Sequence, residues 1–181
     1  MLEQEFKALI SKEQFEKIRY NYTWDKKFTQ VNHYYFDNND YIIKNEITVR
    51  VREKDNSYKL QIKIPESIRS NIHIKNEFSM PFDNVPQVIS GDVLKKLCGF
   101  DVGDVKRLGE LKTERRTKKI SNSVKLFLDK NEYLNTIDFE VEIEYLNDES
   151  EITNLVRELG LSKSAVTYGK KTRFVQKFIS G

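Results

Sequence analysis

Cysteine is almost absent from this chain: Cys98 stands alone, so no internal disulfide is expected, and a reducing compartment, the cytoplasm, is the simplest expectation. Proline and glycine are scarce as well, at three and seven in 181 residues, and no Ser/Gly/Pro-rich tract marks a linker or tail. A single domain spanning residues 1–181 is therefore expected. Long hydrophobic runs are also missing: no stretch approaches the ~20 apolar residues that a membrane helix needs. The opening MLEQEFKALI lacks a basic segment followed by an apolar one. Nor is there an excess of one charge, since 31 basic and 28 acidic residues leave a net charge of only +3. That balance argues against a general coat for polyanions. Membrane and nucleic acid are thus both unexpected as partners.

What the chain has is alternation. Period-two patterns predict about eight strands, at Leu2 to Ala8, Val31 to Phe36, Ile47 to Arg52, Tyr58 to Ile64, Ile72 to Phe78, Lys112 to Ile120, Val124 to Asp129 and Ile137 to Tyr145. A helix is predicted from Ser11, with Gln14 three residues on as a capping box and Phe15, Ile18 and Tyr22 on its inner face. A second starts near Asp148 or Ser150, carries Ile152, Leu155, Val156 and Leu159, and ends at Gly160. Pro86 to Phe100 is a candidate for a shorter third. The class is α+β and mainly β, an antiparallel barrel or strongly curved sheet with flanking helices.

The polar half of the alternation is one-third of the whole composition, 33% charged against 38% apolar, and it is bunched by sign. Glu3, Glu5 and Lys7 share a face, as do Arg50 and Arg52; Lys59 and Lys63 follow, then Lys125 and Asp129, then Glu140, Glu142 and Glu144. Acidic residues concentrate on the first and last long strands and basic ones between them. A sheet wet on one side would satisfy simple alternation. Like charges on adjacent positions of one face repel, however, so clusters of this kind point to a bound counter-charge within a lumen. Carboxylates two apart on a strand suit a hard cation such as Mg²⁺ or Mn²⁺. Lysine and arginine facing the same volume suit phosphoryl oxygens.

These residues resemble the CYTH superfamily, the triphosphate tunnel metalloenzymes. Glu3-Gln4-Glu5-Phe6-Lys7 is similar to the family's ExExK strand. VNHYYFDN, ITVRVRE, YKLQIKIP, KTERR, LFLD and FEVEIEY follow in the family's order as far as Arg173, and the small YjbK-like members of bacteria are the nearest in character. The resemblance implies a closed eight-stranded antiparallel tunnel that hydrolyses or rearranges triphosphate compounds with Mg²⁺ or Mn²⁺. It implies metal ligands at Glu3 and Glu5 and at two of Glu140, Glu142 and Glu144, with Glu142 and Glu144 preferred. Phosphate contacts implied are Lys7, Arg50, Arg52, Lys63, Arg115 and Lys125, with Lys59 in addition. Near the C-terminus, where the family places a Ser-Lys pair, the chain has Tyr168-Gly169-Lys170, so Lys170 is taken and Arg173 held in reserve.

Supporting roles fall to Glu77, either a partner of a lumen arginine or a rim carboxylate, and to Asp129, which orients basic side chains or reaches metal through water. His33 is read as structural and His73 is unassigned. Tyr34, Tyr35 and Phe36 are read as barrel packing rather than stacking platforms. The expected function is metal-dependent hydrolysis of inorganic triphosphate or another triphosphate by a monomer or homodimer. Cyclisation of ATP, as by class IV-type adenylate cyclases, and a non-catalytic polyphosphate or nucleotide sensor are the rivals.

Overall fold

The computed structural model describes residues 2–69, 72–99, 101–162 and 167–181, and within it the alternating segments close on themselves. The strands are β1 (Leu2–Ile10), β2 (Lys26–Phe36), β3 (Thr48–Lys54), β4 (Ser57–Arg69), β5 (Ile72–Phe82), β6 (Val88–Ile89), β7 (Val105–Lys119), β8 (Val124–Tyr133) and β9 (Thr136–Tyr145). The helices are α1 (Lys12–Asn21), α2 (Tyr41–Lys44), α3 (Gly91–Cys98), α4 (Ser150–Glu158) and α5 (Lys170–Ser180). Neighbouring strands run in the order β2-β3-β4-β5-β1-β9-β8-β7, and β7 pairs back onto β2 from Lys26↔Thr117 to Phe36↔Lys106. Eight antiparallel strands therefore form a closed barrel without a free edge. The two-residue β6 is added to β7 where β8 does not reach.

Closure fixes which chemistry points where, because side chains alternate strictly between the two faces of a strand. The apolar faces point outward under helices. Phe6, Ala8, Leu126, Leu128, Val141 and Ile143 pack beneath Phe15 and Ile18 of α1 and Ile152, Leu155 and Val156 of α4. On the other side Val49, Val51, Leu60 and Ile62 join Ile42 of α2, Ile89 of β6 and Leu94 of α3. Each such fully buried aliphatic side chain contributes about 1.5–3 kcal/mol of transfer free energy. The expected capping box holds α1 at its start: the Gln14 amide donates to Ser11 Oγ and the Ser11 amide to Gln14 Oε1, each at 3.1 Å.

Most strands run a few residues beyond the sequence reading, α2 and β6 are additions to it, and three departures have a clear physical origin. β4 runs on past Ile64 to Arg69 through a register shift between Pro65 and Ser67; a bulge accommodates the proline, which has no N–H for the ladder. β7 begins at Val105 rather than Lys112, because a second shift, opposite Tyr34 and Tyr35, breaks the alternation around Gly109. Helix α5 was not anticipated. Its Phe174 lies against Tyr34 and Tyr133, with ring centroids 5.3 and 6.2 Å away. It fits only because Gly109 has no side chain: a Cβ there would stand 2.7 Å from a Phe174 ring carbon. The helix thus packs into the barrel end where β8 turns into β9.

Candidate functional site

The inward faces enclose a cavity of about 480 Å³. In chain order β1 and β9 lie at opposite ends, but in the barrel they are neighbours, so the acids of the first and last strands form one wall. Glu5 stands directly opposite Glu144, and Lys7 opposite Glu142; Glu3, Glu5, Glu142 and Glu144 all line the cavity. Arg50 and Arg52 of β3, Lys59 and Lys63 of β4, Lys75 of β5 and Arg115 of β7 line the remainder. Arg50↔Gln61 and Arg52↔Lys59 are cross-strand partners, so on this side cations gather as carboxylates do on the other.

Contacts across the lumen order these groups. Lys7 Nζ lies 2.7 Å from Glu142 and 3.0 Å from Glu5. Lys63 pairs with Glu3, and with Glu77 at 3.0 Å. A relay joins the two basic strands to β5: Arg50 Nε donates to Gln61 Oε1 at 3.0 Å, and Gln61 Nε2 donates to Glu77 Oε1 at 2.8 Å. Glu77 is therefore a partner of lumen cations. Arg115 forks onto Asp129 at 2.8 and 2.6 Å, also reaches Glu142, and lies over the Phe127 ring.

Charge states follow from these neighbours. Burial raises the Glu142 carboxyl, but Arg115, Lys170 and Lys7 outweigh it and hold the group well below the usual range. Lys7, Lys63 and Lys75 do the same for Glu5 against its burial. Glu144 differs: burial, with the charges of Glu3 and Glu142, pushes its carboxyl up to about 7. Burial, with Arg50 and Arg115 close by, brings Arg52 down to about 9. Each wall therefore carries like charge that the protein's own groups do not fully offset.

Of the predicted contacts, Glu3, Glu5, Lys7, Arg50, Arg52, Lys59, Lys63, Glu77, Arg115, Glu142, Glu144 and Lys170 line one cavity. Four others do not. Lys125 is exposed one residue into β8, opposite Lys119 and Glu144 at the barrel rim, so it corrects the expectation of a lumen contact. Glu140 is fully buried behind the cavity, where Lys170 and Arg173 hold it; the pair facing the lumen is Glu142 and Glu144. Arg173 is spent on Glu140 at 2.6 Å and Asp138 at 2.9 Å. Asp129 lies beneath the site and orients Arg115 and Lys170. Asp129, Glu140 and Glu142 do converge closely enough to hold a cation, but Lys170 Nζ stands among them, 2.9 Å from Asp129 and 2.5 Å from Glu142. Its ammonium fills that place, which also makes Lys170 less available to phosphate than expected.

Several lining residues were missed: Lys75, Lys171, Gln61, Asn32 and Thr48. Their strand parity alone would have found all but Lys171. His73 also lines the cavity, whereas His33 is a buried structural residue bonded to Glu53 at 3.1 Å and Arg107 at 3.0 Å. Asn32 Nδ2, Tyr34 Oη and His73 Nδ1 are buried without hydrogen-bond partners among the described residues. Orphaned polar atoms cost about 1–3 kcal/mol each, and a ligand in the lumen would relieve them.

Comparison with known proteins agrees with this geometry. A family model described as the CYTH domain matches residues 1–175. The YjbK protein of Bacillus subtilis (strain 168), named as a candidate triphosphatase, is 28% identical over 148 residues, covering 79% of this chain and 77% of its own. Among solved structures, a candidate adenylate cyclase from Bacillus halodurans superposes with a TM-score of 0.72 at 23% identity, over 94% of this chain and 95% of its own. A Hippeastrum protein, described as a candidate adenylyl cyclase with a dominant triphosphatase activity, gives 0.76 at 17% identity, over 96% and 95%.

Proposed function

The chain belongs to the CYTH domain family, and from that premise we propose that it hydrolyses a triphosphate compound, inorganic triphosphate first among them, with Mg²⁺ or Mn²⁺. The observation that carries the reading is the two-walled lumen, with four carboxylates on β1 and β9 and arginines and lysines on β3, β4, β5 and β7. A metal polyphosphate is the ligand that complements both walls at once. The relatives named as triphosphatases support it.

The residues present supply the ligand chemistry of a divalent cation, although in this structure Glu3, Glu5, Glu142 and Glu144 do not converge as Asp129, Glu140 and Glu142 do. Glu5 and Glu144 are directly opposite partners of like charge, an arrangement that destabilises a sheet unless something offsets it. The donor set of Glu3, Glu5, Glu142 and Glu144 is all carboxylate oxygen, as hard cations require. These four would hold the metal, which when bound neutralises phosphoryl charge and lowers the pKa of water. The remaining work belongs to the chain's own groups. Arg50, Arg52, Lys63 and Arg115 bind phosphoryl oxygens; the Gln61–Glu77 relay fixes the Arg50 and Lys63 heads; Asp129 sets the plane of the Arg115 fork. Water adds to a terminal phosphorus and the bridging P–O bond breaks, releasing orthophosphate and pyrophosphate from inorganic triphosphate. Pre-placed cations stabilise the charge that develops on the leaving oxygen.

Cyclisation of ATP would need a place for a base, and among the described residues that line the cavity the aromatic rings besides His73 are Tyr168 and Tyr34, the latter tilted against Phe174. Hydrolysis is therefore favoured. A panel of inorganic triphosphate, thiamine triphosphate and ATP against Mg²⁺ and Mn²⁺, scored for phosphate release and for cyclic AMP, tests the assignment. Phosphate release identifies a hydrolase, cyclic AMP a cyclase, and ligand binding without either a sensor.

A further inference from the structure

A second hollow, of about 530 Å³, lies outside the barrel between α1 and the strands β2, β7, β8 and β9. The strand residues around it have the parity opposite to the lumen residues: Glu114 and Arg116 flank the inward Arg115, Lys130 follows the inward Asp129, and Ile137 and Phe139 alternate with Asp138 and Glu140. Its floor is apolar. The Phe15 and Phe139 rings meet with centroids 4.7 Å apart, and Ile137 on the same floor is 57% exposed. Five cations and two carboxylates surround that floor, a local excess of three positive charges that equals the net charge of the whole chain.

Most of these cations are poorly answered by the fold. Lys27 of β2 and Arg116 of β7 are direct cross-strand partners, a like-charge pairing that weakens a sheet. Lys130 is paired with Glu132 at 2.6 Å, whereas Lys27 has Glu114 alone, at 3.8 Å, among the described residues. Arg116 forms no ion pair among the described residues, and its guanidinium lies 5.7 Å from the centre of the Phe15 ring. Across the groove Arg19 reaches Glu16 at 2.6 Å, but its Nε is buried without a hydrogen-bond partner among the described residues. Lys12 is the first residue of α1, where the helix dipole favours an acid instead.

Lys12 and Arg19 lie two turns apart on one side of α1, about 10 Å from each other. Lys27, Arg116 and Lys130 span the three adjacent strands β2, β7 and β8, again about 10 Å. Two cationic banks of that length exceed a single phosphate or carboxylate and match about three residues of extended chain. The closed barrel offers a peptide no strand edge to pair with, so recognition falls to side chains. We propose that this groove docks an acidic segment of a partner protein, with an aromatic or aliphatic side chain seated on Ile137 and Phe139 and carboxylates on Arg19, Lys27 and Arg116. A nucleic acid fits less well, because Glu16 and Glu114 interrupt the basic banks and the two rings, tilted 43° to each other, form no flat platform for a base. Docking here is independent of what the tunnel binds or turns over.

The test uses the full chain and, as probe, a random copolymer of glutamate and tyrosine, with poly-glutamate and single-stranded oligoadenylate as comparators. Binding is measured by calorimetry in EDTA with inorganic triphosphate present to compete for the tunnel. The copolymer should bind saturably and about 5-fold or more tighter than poly-glutamate, because the floor takes a ring. Arg116→Gln and Ile137→Ser should each weaken it by about 5-fold or more, the smaller end of what a charge-assisted contact and an apolar one are worth. Lys96→Gln, exposed on α3, should leave it unchanged. Both groove positions lie outside the lumen, so thermal melting and metal-dependent phosphate release should stay as in the unmodified protein. Absence of saturable copolymer binding overturns the proposal, as does equally tight binding of poly-glutamate or oligoadenylate. Binding that survives both groove substitutions but is lost in Arg52→Ala places the probe in the tunnel and overturns it too. Sedimentation of the chain alone gives the last outcome: self-association that Arg116→Gln or Ile137→Ser abolishes would make a second copy the occupant, and the partner proposal would fall.

Discussion

Replacing Arg52 by alanine separates an arginine that serves a ligand from one that serves the fold. Its Nε donates to Asn32 Oδ1 at 3.2 Å, and no carboxylate forms an ion pair with it among the described residues, in contrast to Lys63 and Arg115. Lys59 is its cross-strand partner, and burial beside Arg50 and Arg115 brings its pKa down to about 9. At neutral pH it is therefore charged and repelled by its neighbours. Truncation removes one hydrogen bond, worth about 1 kcal/mol, and relieves like-charge contacts worth roughly 0.2–1 kcal/mol each. The two nearly cancel. Stability should change by no more than about 1 kcal/mol, a shift of about 2–4 °C in Tm for a chain of this size.

Binding should respond differently. A guanidinium on a phosphoryl group makes charge-assisted hydrogen bonds worth about 1.5–3 kcal/mol, so inorganic triphosphate should bind about 10- to 150-fold more weakly to Arg52→Ala. Calorimetry with metal present measures the affinity, and thermal melts without ligand measure the fold. Unchanged affinity would refute the role. So would a large fall in Tm with affinity intact, since Arg52 would then be a structural residue that faces the lumen by accident.

Other substitutions probe the opposite wall. Glu5→Gln keeps shape and hydrogen-bonding capacity but removes a negative oxygen; metal-dependent phosphate release should fall by about 100-fold or more, and Mg²⁺ or Mn²⁺ should raise the mutant's Tm less than that of the unmodified protein. Retained turnover would remove Glu5 from the site. Arg115→Met leaves Asp129 and Glu142 buried without the fork that joins them, and urea unfolding should show a loss of about 3–5 kcal/mol; a loss below 1 kcal/mol would contradict the pairing. The Glu144 carboxyl, pushed up to about 7 from an ordinary 4.5 by burial and its acidic neighbours, binds its proton more tightly in the folded state than in the unfolded one. Its contribution is therefore fully present below about pH 4.5 and lost as pH rises through about 7. In EDTA, Glu144→Gln should flatten that part of the stability profile, and an unaltered slope would show that Glu144 is not the group responsible.

The barrel was legible because its alternation is long and its turns short. Lys59, Leu60, Gln61, Ile62 and Lys63 announce their two faces whatever lies around them, and parity along β5 puts His73, Lys75 and Glu77 on the face where the structure has them. Alternation failed where the backbone broke step. At Pro65 and near Gly109 one strand carries an extra residue, the two faces exchange, and the period-two signal cancels within the same window. Helix α5 had a signal of its own, with Phe174, Val175, Phe178 and Ile179 at helical spacing. Beside it, Lys170 and Arg173 carry enough charge to be mistaken for ligand contacts.

That last confusion shows what strand parity cannot supply. Parity tells which face a residue takes, but not whether a charge on that face is already answered by another. Lys170 and Arg52 both face inward from basic stretches, yet Lys170 lies among Asp129, Glu140 and Glu142, while Arg52 meets an asparagine and other cations. The difference comes from α5, a helix far away in sequence that carries an ammonium into an acidic pocket the strands have built. On β1 and β9 the reverse occurs: Glu5 and Glu144 stand directly opposite, and among the described residues no helix cation forms an ion pair with either. A charge that the fold answers for itself is not by itself evidence of a ligand, however suggestive its residue type. The unanswered ones, Glu144 on one wall and Arg52 on the other, mark where a metal ion and a polyphosphate would complete the protein.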